Sequence, residues 1–425
     1  MFSAYNDLIR KMMTAGRWGY LVLLCLFTTG GSQAQNVTSP YSILGIGDID
    51  TKQPGRYFIS GNTALARRNT WAYNSSNPAS LSALPFKTMH FDVFMKGKVS
   101  TFLVPEEDTA TSPSRDFIVK RISMAFKVSN KTGIAFGFQP YSGVNYKLQQ
   151  NRTVADGTTS YDKDIDGSGG INQVYFSVGR SVSKRLSVGI TANYLFGSLQ
   201  RATEYSNAYM YITKQEYDFY WGGLFEGGVQ YYSLLGKRWQ HQLGAVVSVS
   251  TNLRGQLRTE YLENEVSIKK TIDDRQFKLP ISVGLGYSAT HQNGLTLSLE
   301  GQFYKWPYQK VDYTNSYTYP SVRGSTGLEY SFKNKKIPGV EAGFLGLGFT
   351  IQNSYIRIQN NSLWDYSASL GGGLNVTKAL ALYAGMEIGK KGNKKADQIQ
   401  ERYTQYVIGI TLKDIWIGPK FKKYD

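Results

Sequence analysis

Residues 363–376 read LWDYSASLGGGLNV. Trp364, Tyr366, Ala368, Leu370 and Leu374 fall on one parity; Asp365, Ser367, Ser369, Gly371, Gly373 and Asn375 fall on the other. A β-strand turns successive side chains to opposite faces, so this stretch has one apolar face and one polar or bare face. In a soluble sandwich the apolar face would meet a second sheet. In a membrane barrel it meets lipid, and the polar face lines the interior. The same parity recurs over 186–196, 281–288, 295–303, 380–388 and 406–413.

The start of the chain favours the membrane. Arg10, Lys11 and Arg17 precede the apolar run WGYLVLLCLF at 18–27, which is too short to span a bilayer, and Ser32-Gln33-Ala34 offers small residues for cleavage. We read 1–34 as a cleaved signal peptide, 35–85 as an N-terminal hatch and 86–425 as a transmembrane barrel. The alternative for the first segment is an amphipathic anchor. Cys25 is the only cysteine and lies inside the leader, so the mature chain needs no disulfide and has no thiol chemistry. Lipidation would require a small residue before that cysteine, and Leu24 stands there.

The 44 glycines, 31 tyrosines and 21 phenylalanines suit curved strands and interfacial aromatic girdles. Mean hydropathy is −0.33, which a barrel allows because only alternate residues meet lipid. Formal net charge is +17. Removing Arg10, Lys11, Arg17 and Asp7 with the leader leaves about +15. The positive residues collect in short turns rather than beside stacking aromatics on one element, which argues against nucleic acid. Short turns near 129–131, 183–185, 236–238, 291–293, 333–336 and 375–377 alternate with longer polar connections near 103–116, 148–169, 203–216, 256–275, 308–318, 356–362 and 390–400. Together they join about fourteen strands, with short turns on the periplasmic side and long loops outside. The basic turns then form a collar at the periplasmic rim, read as solvation and headgroup contact or as a docking surface.

By parity Glu300, Arg323, Glu329, Asp365, Glu387 and Lys413 point inward. A charged side chain facing mid-membrane lipid costs roughly 2–4 kcal/mol, so the interior is preferred. Inward carboxylates such as Glu300 and Glu329 are expected to pair with Arg323 or with Arg67 and Arg68 of the N-terminal segment. Pro140 shares its parity with Ile134, Phe136 and Phe138; it has no N–H for a neighbouring strand, and a closed barrel has no edge to house it. A kink follows, with Gly143 able to take unusual backbone angles. The alternative is a strand that frays above the membrane. Asp162, Asp164, Asp166 and Gly167 give the first half of a calcium loop, but Gln173 replaces the closing glutamate. A solvated acidic loop is the main reading; a weak external Ca²⁺ site is the minor one. His90, His241 and His291 are scattered without metal-ligand spacing, and no catalytic motif lies between a strand and a helix, so no enzyme and no cofactor are expected.

Ser39-Pro40-Tyr41-Ser42, Gly45, Gly47-Asp48, Asn77-Pro78-Ala79-Ser80, Pro140-Tyr141-Ser142-Gly143, Gly327-Leu328-Glu329-Tyr330 and Glu401-Arg402-Tyr403 follow one another in an order that resembles the FadL/TodX-like outer-membrane proteins. The resemblance covers essentially the whole mature chain. It implies an all-β barrel of about fourteen strands filled by an N-terminal hatch. It also implies an Asn-Pro-Ala motif (Asn77, Pro78, Ala79) beside an interruption in the third strand (Pro140, Tyr141, Gly143), where a hydrophobic ligand leaves sideways. Ile59-Ser60-Gly61-Asn62 departs from the usual Gly-Gly pair. Two functions are expected: a passive channel for small hydrophobic molecules in a Gram-negative outer membrane, or a non-catalytic barrel subunit of an outer-membrane assembly or secretion complex. Partners would be outer-membrane lipid, a hydrophobic ligand, or other outer-membrane proteins.

Overall fold

The computed structural model describes residues 39–50, 52–104, 113–153, 160–207, 211–235, 238–263, 266–311, 316–333, 341–358, 361–393 and 398–415. The leader reading and Cys25 lie outside them. Nineteen strand segments join one antiparallel sheet. They are β1 (Asp48–Ile49), β2 (Thr88–Leu103), β3 (Ser114–Lys127), β4 (Thr132–Thr153), β5 (Ser160–Ser181), β6 (Leu186–Ser206), β7 (Tyr211–Leu235), β8 (Trp239–Ser250), β9 (Leu253–Glu263), β10 (Val266–Phe277), β11 (Ile281–His291), β12 (Leu295–Lys305), β13 (Lys310–Val311), β14 (Ser316–Thr318), β15 (Ser321–Lys333), β16 (Glu341–Ile358), β17 (Asn361–Asn375), β18 (Leu380–Lys391) and β19 (Gln400–Ile415).

The wall has fourteen strands, because four are broken in two: β8/β9, β10/β11, β12/β13 and β14/β15. Three of those breaks hold a proline (Pro280, Pro307, Pro320), which removes a ladder donor at the break. The wall closes where β19 pairs β2 from Gln400↔Leu103 to Ile415↔Thr88. Closure satisfies the backbone without lipid, which has no hydrogen bonds to offer.

Parity decides what faces out. In β17, Trp364, Tyr366, Leu370 and Leu374 are exposed while Asp365, Ser367 and Ser369 are buried. No helix among the described residues is long and apolar enough to cross a membrane. The stretches 148–169, 203–216 and 256–275, expected as loops, are largely strand. Once a strand leaves the bilayer both its faces are polar, and the parity signal disappears although the ladder continues.

Residues 39–85 pack against the inward face of the wall. They hold two short 3₁₀ helices, Pro40–Ile43 and Pro78–Ala83, one α-helical turn, Arg56–Ile59, and β1. The wall makes room for them with glycine. Gly133, Gly179, Gly189 and Gly228 are in register across β4, β5, β6 and β7. A Cβ on Gly189 would lie 2.5 Å from the Pro78 carbonyl carbon, and one on Gly179 2.1 Å from the Pro78 oxygen. Backbone therefore rests on backbone, a separation only glycine permits.

Gly189→Ala is expected to cost about 1–3 kcal/mol, because the clash is with main chain that cannot rotate away. Gly227→Ala meets open space and should be silent. The temperature at which the purified barrel loses its compact migration in SDS, with far-ultraviolet circular dichroism to check strand content, compares the two.

Candidate functional site

The inward charges hold the N-terminal segment at several heights. Glu329, on β15, accepts from Arg56 at 2.6 Å and Arg67 at 2.5 Å, with all three side chains almost fully buried. Arg56 also reaches Glu341 at 2.7 Å and lies over the Phe344 ring. Glu300, on β12, accepts the backbone N–H groups of Ala64 and Leu65 at 2.7 and 2.8 Å and pairs with Arg323 at 2.9 Å. Glu387 takes Lys52 at 2.5 Å. Asp365 accepts from Tyr403 and Gln352. Of the six charges named from parity, Glu300, Arg323, Glu329, Asp365 and Glu387 are buried on the inward face. Arg67 makes the expected carboxylate pair; Arg68 instead donates to Ser187 Oγ and its backbone N–H to Gln242. Lys413 also turns inward, over the Trp71 ring and 3.0 Å from Asn375 Oδ1.

Higher up, Asp50 sits between Lys96 (2.5 Å) and Lys120 (2.7 Å), and Asp48 meets Lys391 at 2.7 Å. Burial alone would raise the Asp50 carboxyl, but the two ammonium groups outweigh it and hold it well below the usual carboxylate range. A lowered folded-state pKa stabilises above the unfolded value, near 4, and is lost only as pH falls below that.

Pro140 marks a break in the wall. The β3–β4 ladder runs only from Lys127↔Gly133 to Ile122↔Phe138, and the β4–β5 register slips between Pro140 and Ser142. Beyond Phe138, β4 turns to the N-terminal segment. Asp48 pairs with Gly143 and Ile49 with Ser142, the Asp50 N–H donates to the Tyr141 oxygen, and the Ser39 N–H donates to the Asn145 oxygen. Gly143 does not take the unusual angles expected of it. The left-handed conformations fall on Gly47 (φ 91°), whose Cβ would strike the Gly143 oxygen at 2.4 Å, and on Gly169 (φ 109°) and Gly170 (φ 156°) of β5.

Asn77, Pro78 and Ala79 do not lie beside this break. Asn77 caps the second 3₁₀ helix, its Oδ1 accepting the Ala79 N–H, and its Nδ2 donates to the Leu65 and Val229 oxygens. The motif rests on the glycine shelf at the level of Gly133, seven residues along β4 from Pro140, or roughly 23 Å at strand rise. Asp162, Asp164 and Asp166 are likewise not a loop. They alternate along β5 and meet Asn151, Gln149 and Lys147 across the ladder. A strand spaces its carboxylates apart instead of converging them, and no cluster fit to hold a metal ion occurs among the described residues.

Two cavities flank the segment. A chamber of about 220 Å³ is lined by Gln139, Tyr141, Gln173, Asn193, Glu226 and Arg323, among others. A second, of about 940 Å³, reaches from lumenal Asp48, Lys98 and Lys391 past Pro140 to the outward-facing Tyr194, Phe196 and Trp221, so it runs through the broken wall. Sequence reasoning found Pro140 and the charges but missed the glycine shelf and the Asp50–Lys96–Lys120 cluster.

The family model described as BamG matches residues 11–425. The chain belongs to the BamG family. Among curated proteins none matches it. Its fold is that of solved hydrocarbon channels. A Pseudomonas aeruginosa FadL homologue is 9% identical, with 87% of this chain and 99% of that one covered at a TM-score of 0.60. The Ralstonia pickettii toluene transporter TbuX is 13% identical (85% and 98%, TM-score 0.56), and the CymD monoaromatic hydrocarbon channel 12% identical (85% and 98%, TM-score 0.56). At such identities the likeness is one of fold.

Glu329→Gln should strand Arg67 without a counter-charge, while Arg56 keeps Glu341, and cost about 3–5 kcal/mol. Asp166→Asn, on an exposed pair 3.9 Å apart, should change nothing measurable. Thermal loss of compact migration reads both. In the same assay, lowering pH from 7 to 5 should leave the Asp50 contribution in place, and its loss should begin below about pH 4.

Proposed function

We propose that this BamG-family barrel is a non-catalytic subunit working with other outer-membrane proteins, its residues 35–85 serving as a fixed hatch. The observation that carries it is the lumenal lock of Glu329 on Arg56 and Arg67, repeated at Glu300 and Glu387. Several buried charges would have to be parted to clear the lumen, and parting one buried pair already costs a few kcal/mol. Membership of the BamG family points the same way, towards an assembly role with outer-membrane protein partners. The site of action is the outer membrane of a Gram-negative bacterium, reached through a cleaved signal peptide.

A second reading has its own support. The cavity beside Pro140 joins lumen to lipid face, which favours passive passage of a small hydrophobic molecule with exit through the wall at Pro140, Tyr141 and Gly143. Asn77-Pro78-Ala79 would then act by anchoring the hatch below the exit, not by lining it.

One experiment separates the two. The tagged barrel is purified from detergent-solubilised outer membrane, and uptake of N-phenylnaphthylamine is measured in proteoliposomes for the wild type and Pro140→Val. Stoichiometric outer-membrane partners, with uptake no greater than in protein-free liposomes, are expected. A barrel that purifies alone, with uptake that falls on Pro140→Val while compact migration survives, would replace this reading with the channel.

A further inference from the structure

The broken wall leaves its two sides in different states. On β4 the edge is covered, because residues 39–50 bond to it at Tyr141, Ser142, Gly143 and Asn145. On β3 it is not. From Arg115 to Arg121 this strand is paired with β2 alone, with a bulge at Lys120, and no described strand meets its other side. Seven residues of unpaired backbone edge, roughly 23 Å long, stand in the membrane wall. Lipid tails cannot satisfy such an edge. Its alternating N–H and C=O groups match another extended backbone.

The slot beside this edge has two kinds of lining. Towards the lumen it presents Lys96, Lys98 and Asp116; towards lipid it presents Phe196, Phe219 and Trp221. A transmembrane strand carries the same division, polar on one face and apolar on the other. A hydrocarbon would leave the charged side unmatched, and a soluble peptide would leave the aromatic side bare.

We propose that the Arg115–Arg121 edge of β3 receives a transmembrane β-strand of another outer-membrane protein, which pairs with it by backbone hydrogen bonds within the slot. The covered β4 makes this a one-sided addition. The proposal rests on the reading that the barrel works with outer-membrane proteins and names the chemistry of the contact.

The test uses the cysteine-free mature barrel in proteoliposomes with a defined probe. The probe is a synthetic peptide with the sequence of residues 401–412, a strand of the right two-faced pattern, carrying one cysteine at Ile408. Val119→Cys, on the outward face of β3, is compared with Leu285→Cys on the closed wall. Disulfide formation is expected at Val119→Cys at least tenfold above Leu285→Cys. Two further peptides are N-methylated on alternate amides, one set on each edge. One should lose the crosslink at least tenfold and the other keep it, since only one edge of the probe meets β3. Equal crosslinking at both positions would show simple partition into lipid and overturn the proposal. So would no crosslink at Val119→Cys, or methylated peptides that behave alike. The assay needs no cellular partner, so its failure leaves the co-purification result to stand or fall separately.

Discussion

A backbone amide in hydrocarbon has no partner except another backbone, and that constraint orders the whole molecule. It forces fourteen strands to meet end to end at β19 and β2. Hydrocarbon solvates charge no better than amides, so Glu300, Glu329 and Asp365 turn inward while Trp364, Tyr366 and Leu370 turn outward. The backbone constraint also explains why the lapse in the ladder between β3 and β4 above Phe138 is not left empty on both sides. Residues 39–50 come from within to bond the β4 edge, so the N-terminal segment completes part of the wall as well as filling the lumen.

Two different forces hold that segment. Near the short turns it is shape: four glycines in register let the Pro78–Ala83 helix lie directly on the wall. Charge acts from the same level upward: Glu329, near the end of β15, then Glu300, Glu387 and the Asp50 cluster each tie the segment to the wall. Buried ion pairs add little net stability, because desolvation cancels most of the attraction. Their effect is on position. A misplaced segment would leave Glu329 facing neither arginine, at a cost far above the net worth of the correct pair. The glycine shelf admits the backbone, and the charges fix which backbone it admits.

Residues 363–376 gave away the fold because β17 crosses the bilayer, where parity is enforced by lipid. The inward charges were legible for the same reason. Residues 148–169 were not, because outside the bilayer neither face of β4 or β5 needs to be apolar, and a polar strand reads as a loop. Asp162, Asp164 and Asp166 show the consequence, since the spacing that suggests a calcium loop is also the spacing of one strand face. The glycine shelf left a signal that went unread. Gly179 and Gly189 flank the same short turn, and Gly133 follows the short turn before it, all at one height. Gly143 attracted attention for its neighbour Pro140, yet the strained angles fell on Gly47 and on Gly169 and Gly170 across the ladder.

The separation of Asn77-Pro78-Ala79 from Pro140 alters what each can do. A motif about seven residues below the break cannot gate it by contact. It can act only through the segment that joins them, from the capped helix at Asn77 back through the charged belt at Arg67, Arg56 and Lys52 to β1 at Asp48. Every link in that path is tied to the wall, so motion at one end is opposed by ion pairs along the way. A path so anchored transmits position better than movement. That favours a barrel whose interior is a fixed support and whose active surface is the unpaired edge of β3 on the outside.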